Sequence, residues 1–263
     1  MENDPGTTPL LSVEGAVATI TLNRPRYRNR LEPADLDALH RLLDEIEDSP
    51  SLRVLVLTGT GKAFSSGYHL GDLSGRPPAH TAPEDETRPA PFEALADRIE
   101  DFPLPTICRL NGGVYGGSTD LALACDFRIG TPGIDMFMPA ARLGIHYYPG
   151  GMVRFVSRLG AGGAKRLFLT AERIDAAEML RIGYLSEIVA EGELDARIAA
   201  LAATLAANAP RALRGMKRTV NEIARGALDR DAASRRYRES LAGDEVREGL
   251  AAFAEKRAPR FPG

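Results

Sequence analysis

The sequence predicts an α/β fold with a helical C-terminal third, and three observations carry that prediction. Residues 10–58 read as strand, amphipathic helix, strand. The run SLRVLVLT (51–58) has the continuous apolar centre of a strand covered on both faces. From Leu167 onward, Ala-dense helical segments replace the strand patterns.

The 263 residues, 44% hydrophobic and 26% charged, suit one large α/β unit and exclude disordered or fibrous chains. Lys and Arg number 33 against 36 Asp and Glu, a net charge of −3, so no basic excess exists to hold a nucleic-acid backbone. Cys108 and Cys125 make neither a disulfide framework nor a metal-ligand spacing, which fits a reducing compartment. The opening MENDPGTTPL lacks a cationic apolar leader, and no apolar run approaches the ~18 residues that cross a bilayer. A soluble cytoplasmic enzyme without nucleic-acid, membrane or metal partners is expected.

Residues 10–22 alternate around β-branched positions with a turn at Gly15, the pattern of a strand or hairpin. Leu36, Leu39, Leu42, Leu43 and Ile46 then recur at three- and four-residue steps, with Pro33 in the first turn of the helix they define. Residues 72–91 hold five prolines in twenty residues and no periodicity, so a long loop is expected there, either a functional cover or a surface insertion. A short helix around Phe92, Leu95, Ala96 and Ile99 leads to a second buried strand, Thr106–Leu110. After the glycine-rich run 111–117 come a helix at Ser118–Cys125 and a strand at Phe127–Ile129. Helices follow at Ala176–Arg181 and Glu193–Ala207, and a last polar one at Asp229–Phe253. The division expected is an α/β core, residues 1–195, and a C-terminal helical region, residues 196–263.

Two glycine-bearing turns could carry chemistry. Gly116-Gly117 opens the Ser118 helix, and Ser66-Gly67-Tyr68 follows the Ser51–Thr58 strand. If the two preceding strands are parallel neighbours, both turns lie beyond one sheet edge, where N–H groups could converge on a carbonyl oxygen. Such turns also serve plain packing. Asp120, one turn into the helix, could move a proton beside that carbonyl or merely complement the helix start. Gly59-Thr60-Gly61-Lys62 lacks the spacing of a phosphate loop.

Several segments, in order, resemble the crotonase, or enoyl-CoA hydratase/isomerase, superfamily: VATITLNRPRYRN (17–29), AFSSGYHL (63–70), NGGVYGGSTDLALACDFRI (111–129), LTAERIDAAEMLRIGYLSEIV (169–189) and EVREGLAAFAEKRAPRF (245–261). The resemblance implies a repeated ββα core, a helical trimerisation region, homotrimers that often pair into hexamers, and acyl-CoA thioesters as substrates, commonly in fatty acid metabolism. Coenzyme A would enter as part of the substrate, with no separate cofactor. The oxyanion donors it implies are the N–H groups of Ser66 and Gly117, in turns that include Gly67 and Gly116. Arg26, Tyr27 and Arg28 match the coenzyme A nucleotide segment, and Phe253 and Lys256 match tail residues that reach its adenine or phosphate end, in many members from a neighbouring subunit.

The departures are informative. Asp120 stands where the family's first glutamate is expected, and Ala140 where the second is. Alanine transfers no proton, so hydration by two glutamates is disfavoured. His146, Tyr147 and Tyr148 bring polar groups near the lost carboxylate, as catalytic groups or as pocket wall. Tyr68 and His69 replace the usual small residue and aspartate, and His69 reads as structural. The chemistry left open is a single-acid isomerisation, a malonyl-type decarboxylation with Tyr147 orienting the leaving carboxylate, or a C–C bond hydrolysis. A silent acyl-CoA binder is the remaining alternative.

Overall fold

The computed structural model describes residues 6–69 and 89–261. The expected hairpin forms from β1 (Leu10–Glu14) and β2 (Val17–Leu22), antiparallel about Gly15 at φ +57°. Helix α1 (Pro33–Glu47) buries Leu36, Leu39, Leu43 and Ile46, the stripe the periodicity predicts. Next come β3 (Val54–Gly59) and β4 (Ala63–Ser65), then α2 (Pro91–Glu100). The proline-rich stretch thus ends at Pro91 in a helix start, while its residues 72–88 lie outside the described residues.

The same order repeats. β5 (Thr106–Arg109), β6 (Gly113–Tyr115) and α3 (Ser118–Ala124) follow, then β7 (Phe127–Gly130), β8 (Asp135–Phe137) and α4 (Pro149–Lys165). From β3 onward, the first strand of each ββα unit enters a six-stranded sheet, β1-β2-β3-β5-β7-β10, and the second a four-stranded sheet, β4-β6-β8-β9. Here β9 is Arg173–Asp175 and β10 is Glu187–Ile188. β3 and β5 are parallel neighbours, Leu55 opposite Thr106 and Leu57 opposite Cys108, so the condition for bringing the two glycine turns together is met. Three-residue strands β4, β6 and β8 are too short to show a period; the sequence reads the first two as parts of glycine-bearing turns and assigns the third no element.

Strand β3 is buried along its whole length and serves two cores. Leu55 and Leu57 join the main cluster with α1, α2 and α3, whereas Val54 and Val56 face Leu194, Ile198, Ala202 and Leu205. Those four belong to α6 (Leu194–Ala207), which covers the outer face of the large sheet after α5 (Ala176–Arg181). The expected division at 195/196 therefore falls inside α6. Beyond it lie α7 (Pro210–Ala224), α8 (Arg230–Ala242) and α9 (Asp244–Glu255). The single helix expected over Asp229–Phe253 is two. Asp229 caps the first through the Ala232 N–H at 2.9 Å, and Gly243, extended at ψ 170°, parts it from the second. Among the described residues, no helix is long and apolar enough to cross a membrane.

Candidate active site

The turn after β4 is stitched to residues 27–31. Ser66 donates its N–H to the Arg28 carbonyl at 2.7 Å and its hydroxyl to the Tyr27 carbonyl at 3.0 Å. The Ser65 hydroxyl donates to Asn29 O at 2.6 Å, and it accepts from Ser118 Oγ at 2.5 Å and from the Gly67 N–H at 3.2 Å. Asn29, itself buried, donates to the carbonyls of Thr60, Ala63 and Phe64. The expectation for Ser66 is therefore corrected: its amide already has an acceptor and cannot serve a substrate oxygen. Leu31 N–H donates to Gly67 O, and His69 N–H donates to Leu31 O, at 2.9 and 2.8 Å. That bridge turns the intervening Tyr68 amide to the opposite edge, where it has no backbone acceptor among the described residues.

Gly67 and Gly117 then meet. Gly67 lies at φ +99°, and a Cβ on it would stand 2.8 Å from the Tyr115 carbonyl and 3.2 Å from the Gly117 nitrogen. Only glycine permits both that backbone conformation and that approach. Gly116, at φ +56°, donates to Phe137 O at 2.8 Å and accepts from the Thr119 N–H and hydroxyl. The Gly117 N–H, like that of Tyr68, has no backbone acceptor among the described residues. The Phe92 ring closes the space above, 3.1 Å from where a Cβ of Gly117 would sit. At the far end of α3, Arg128 and Arg158 hold the Leu123 and Cys125 carbonyls.

Asp120 is fully buried. Its Oδ2 accepts from the Tyr148 hydroxyl at 2.5 Å and from Arg154 Nη1 at 2.5 Å, while Oδ1 has no hydrogen-bond partner among the described residues. Arg154 also donates to Asp97 at 2.6 Å and lies 3.4 Å from Glu100. Burial opposes its charge, but Asp120 and Glu100 more than offset that, and the guanidinium is held above its ordinary range. Burial, with the Asp120 charge adding to it, pushes the Tyr148 phenol well above 10, so it stays a donor. Asp97 is raised by burial, against the pull of Arg154.

Tyr147 and His146 do not reach the carboxylate. Tyr147 stacks on Tyr148 at 4.3 Å, lies 5.1 Å from Phe168 by ring centroids, and donates its hydroxyl to that of Tyr148 at 3.2 Å. His146 is exposed, its Nδ1 donating to the neighbouring Tyr147 carbonyl at 2.8 Å. Ala140 is buried at the start of a tight turn and leaves no second carboxylate there. The ring that bonds Asp120 is that of Tyr148, and Tyr147 reaches it only through the Tyr148 hydroxyl. Arg154, missing from the sequence reading, had left one signal: a cation at a buried position of α4, between Gly151 and Phe155.

Arg26, Tyr27 and Arg28 lie together on an exposed turn, with the Arg30 guanidinium 5.0 Å over the Tyr27 ring. That turn is bonded directly to the Gly67 turn through Ser66. Tyr68 and His69 are half-buried, with the Tyr68 ring 5.6 Å from Phe92. Phe253 and Lys256 sit exposed at the end of α9, away from the hydrogen bonds that hold the glycine turns.

Comparison with known proteins agrees with this architecture. Residues 12–263 match the family described as Enoyl-CoA hydratase/isomerase. The Bacillus subtilis protein YngF is 34% identical over 94% of this chain and 95% of its own length. A short-chain-enoyl-CoA hydratase of Clostridium acetobutylicum is 32% identical over 94% and 95%, and a carnitinyl-CoA dehydratase of Salmonella typhi is 32% identical over 96% and 97%. The crystal structure of an enoyl-CoA hydratase from Bacillus anthracis, 31% identical, superposes with a TM-score of 0.85 over 98% of this chain and all of that one. With the ββα repeats, the paired glycine turns and these matches across its length, the chain belongs to the enoyl-CoA hydratase/isomerase family and is an acyl-CoA-processing enzyme.

Proposed function

We propose that this enzyme makes a thioester enolate and moves a single proton with Asp120, the chemistry of an isomerase rather than of a two-glutamate hydratase. The observation that carries the proposal is the meeting of the two turns, with the Gly67 Cβ position 3.2 Å from Gly117 N and the amides of Tyr68 and Gly117 both without backbone acceptors among the described residues. Each such donor contributes roughly 3–4 kcal/mol to a developing oxyanion. Asp120 lies one helical turn beyond Gly117, and Ala140 removes the second proton carrier, so water addition lacks one of its two groups.

A decarboxylase is less well supported. Tyr147, which would orient a leaving carboxylate, donates to Tyr148 instead, and Asp120 would set a negative charge against a second one. The exposed turn at Arg26, Tyr27 and Arg28 suits the coenzyme A nucleotide, because guanidinium forks bind phosphate and the ring offers a stacking face. Homotrimers or hexamers belong to the same proposal, since Met216, Val220 and Ile223 leave an apolar stripe exposed on α7. A light-scattering mass of one chain would remove that part.

The test is α-proton exchange. In D2O the enzyme is expected to exchange the α-hydrogen of a bound acyl-CoA, and Asp120→Asn to lose at least ~10²-fold of that rate with little change in affinity. Unchanged exchange in Asp120→Asn removes Asp120 from the mechanism, and tight binding without exchange in the parent protein points to a silent binder.

A further inference from the structure

Tyr68 offers the site more than its amide. The residue is half-buried, yet its phenolic oxygen is sealed from solvent and has no hydrogen-bond partner among the described residues. Buried polar atoms nearly always find partners, so this one calls for an explanation. Burial, with the charge of exposed Asp37 on α1 adding to it, raises the phenol above its ordinary range. The hydroxyl therefore stays protonated and is a donor without an acceptor.

Its surroundings say where an acceptor would come from. The Tyr68 ring is tilted against Phe92 at 5.6 Å, and the Phe92 ring lies 3.1 Å from the Cβ position of Gly117. The Tyr148 ring stands edge-on to Phe92 at 6.3 Å, and its hydroxyl bonds Asp120. The three rings form a row beside the amide pair, from Tyr68 to the carboxylate. A thioester whose oxygen is held by the amides of Tyr68 and Gly117 would lay its acyl chain along that row. Of the two hydroxyls in the row, that of Tyr148 is engaged, donating to Asp120 and accepting from Tyr147. That of Tyr68 is open, a ring's length from the backbone that would hold the thioester oxygen.

We propose that Tyr68 is a specificity-determining residue, its hydroxyl donating to a keto oxygen on the acyl chain beyond the β carbon, so that the substrate is the thioester of an oxo acid. This rests on the reading of the Tyr68 and Gly117 amides as the thioester's anchor, and adds the substrate class. A ketone accepts a hydrogen bond without bringing a proton that needs a partner of its own. A carboxylate at the same place would set a second negative charge near buried Asp120. The oxygen falls beyond the β carbon because the α and β carbons lie beside the amides, whereas the hydroxyl stands at the far tip of the ring. A site built to bond such an oxygen discriminates against the plain hydrocarbon chain, which leaves the buried donor unpaired.

The test is isothermal titration calorimetry of the whole enzyme with three saturated thioesters: hexanoyl-CoA, 4-oxohexanoyl-CoA and 5-oxohexanoyl-CoA. One of the oxo thioesters is expected to bind about 10-fold tighter than hexanoyl-CoA, the ratio that one neutral hydrogen bond supplies. Tyr68→Phe, which keeps the amide and the ring, is expected to abolish that ratio. The hydroxyl it removes has no bond among the described residues, so no contact of the fold is lost with it. Equal affinities for all three in the parent enzyme overturn the proposal. A ratio that survives in Tyr68→Phe, even with every affinity lowered together, overturns Tyr68 as the residue that reads the oxygen. Binding of hexanoyl-CoA without discrimination leaves the amide pair standing and removes this inference alone, whereas failure of all three thioesters to bind removes both.

Discussion

The two halves of the site are built from different materials. The amide half consists of backbone: Gly67 against Gly117, with Ser65, Ser66, Asn29 and Leu31 bonding the turn in place. The carboxylate half consists of side chains from three helices, Asp120 of α3, Arg154 of α4 and Asp97 and Glu100 of α2, with Tyr148 at the N-cap of α4. Main-chain donors survive substitution of the residue that bears them, so Tyr68 can stand in a small residue's place without loss of an N–H. Side-chain chemistry has no such protection. Ala140 offers no carboxylate, and Tyr148 and Arg154 occupy one oxygen of Asp120.

Substitution separates the halves, and the largest effect is expected in the carboxylate half. Arg154→Ala leaves Asp120 buried with no cation, which should cost about 3–5 kcal/mol by denaturant unfolding. Arg154→Met, which restores volume but not charge, should lose nearly as much, whereas Asp120→Asn in the Arg154→Met background should recover part of it. Equal stability of Arg154→Met and the parent protein would mean that packing rather than charge holds α3 to α4.

The amide half should lose activity before stability. Gly67→Ala forces a Cβ into the Tyr115 carbonyl and against Gly117 N at a φ of +99°, so kcat/KM is expected to fall about 100-fold, an effect near 3 kcal/mol, as the two amides are pushed apart. Steady-state rates in a protein shown folded by circular dichroism check this. Ser66→Ala supplies the contrast: it keeps the N–H to Arg28 and loses only the hydroxyl bond to Tyr27, about 1 kcal/mol of stability, with kcat near that of the parent enzyme. A large kcat loss in Ser66→Ala would return Ser66 to the chemistry.

Much of this was legible before coordinates. The Gly15 hairpin, the leucine stripe of α1 and the strand at 54–59 follow from local pattern, because each buries a face that the chain's own period defines. The glycine turns and Asp120 were legible as residue types at a strand-to-helix junction, and their meeting required β3 and β5 to be parallel neighbours, as they are. The choice between Ser66 and Tyr68 was not legible. Alternate amides of an extended segment point to opposite edges, and only the Leu31 bridge says which edge faces the second turn. Tyr147 and Tyr148 pose the same problem, one ring turned into the aromatic cluster and its neighbour onto Asp120. A lone Gly243 between two polar helical runs gave no periodic signal for a break.

By itself the sequence determined the α/β class, the family and the two turns, and it placed an alanine, which carries no carboxylate, at residue 140, since these depend on residue type, spacing and short-range sterics. Tertiary structure alone decided which amides are free, which tyrosine holds Asp120 and which oxygen of that carboxylate is left open. Those choices turn on hydrogen bonds between segments 28 to 57 residues apart, whose directions no local pattern encodes.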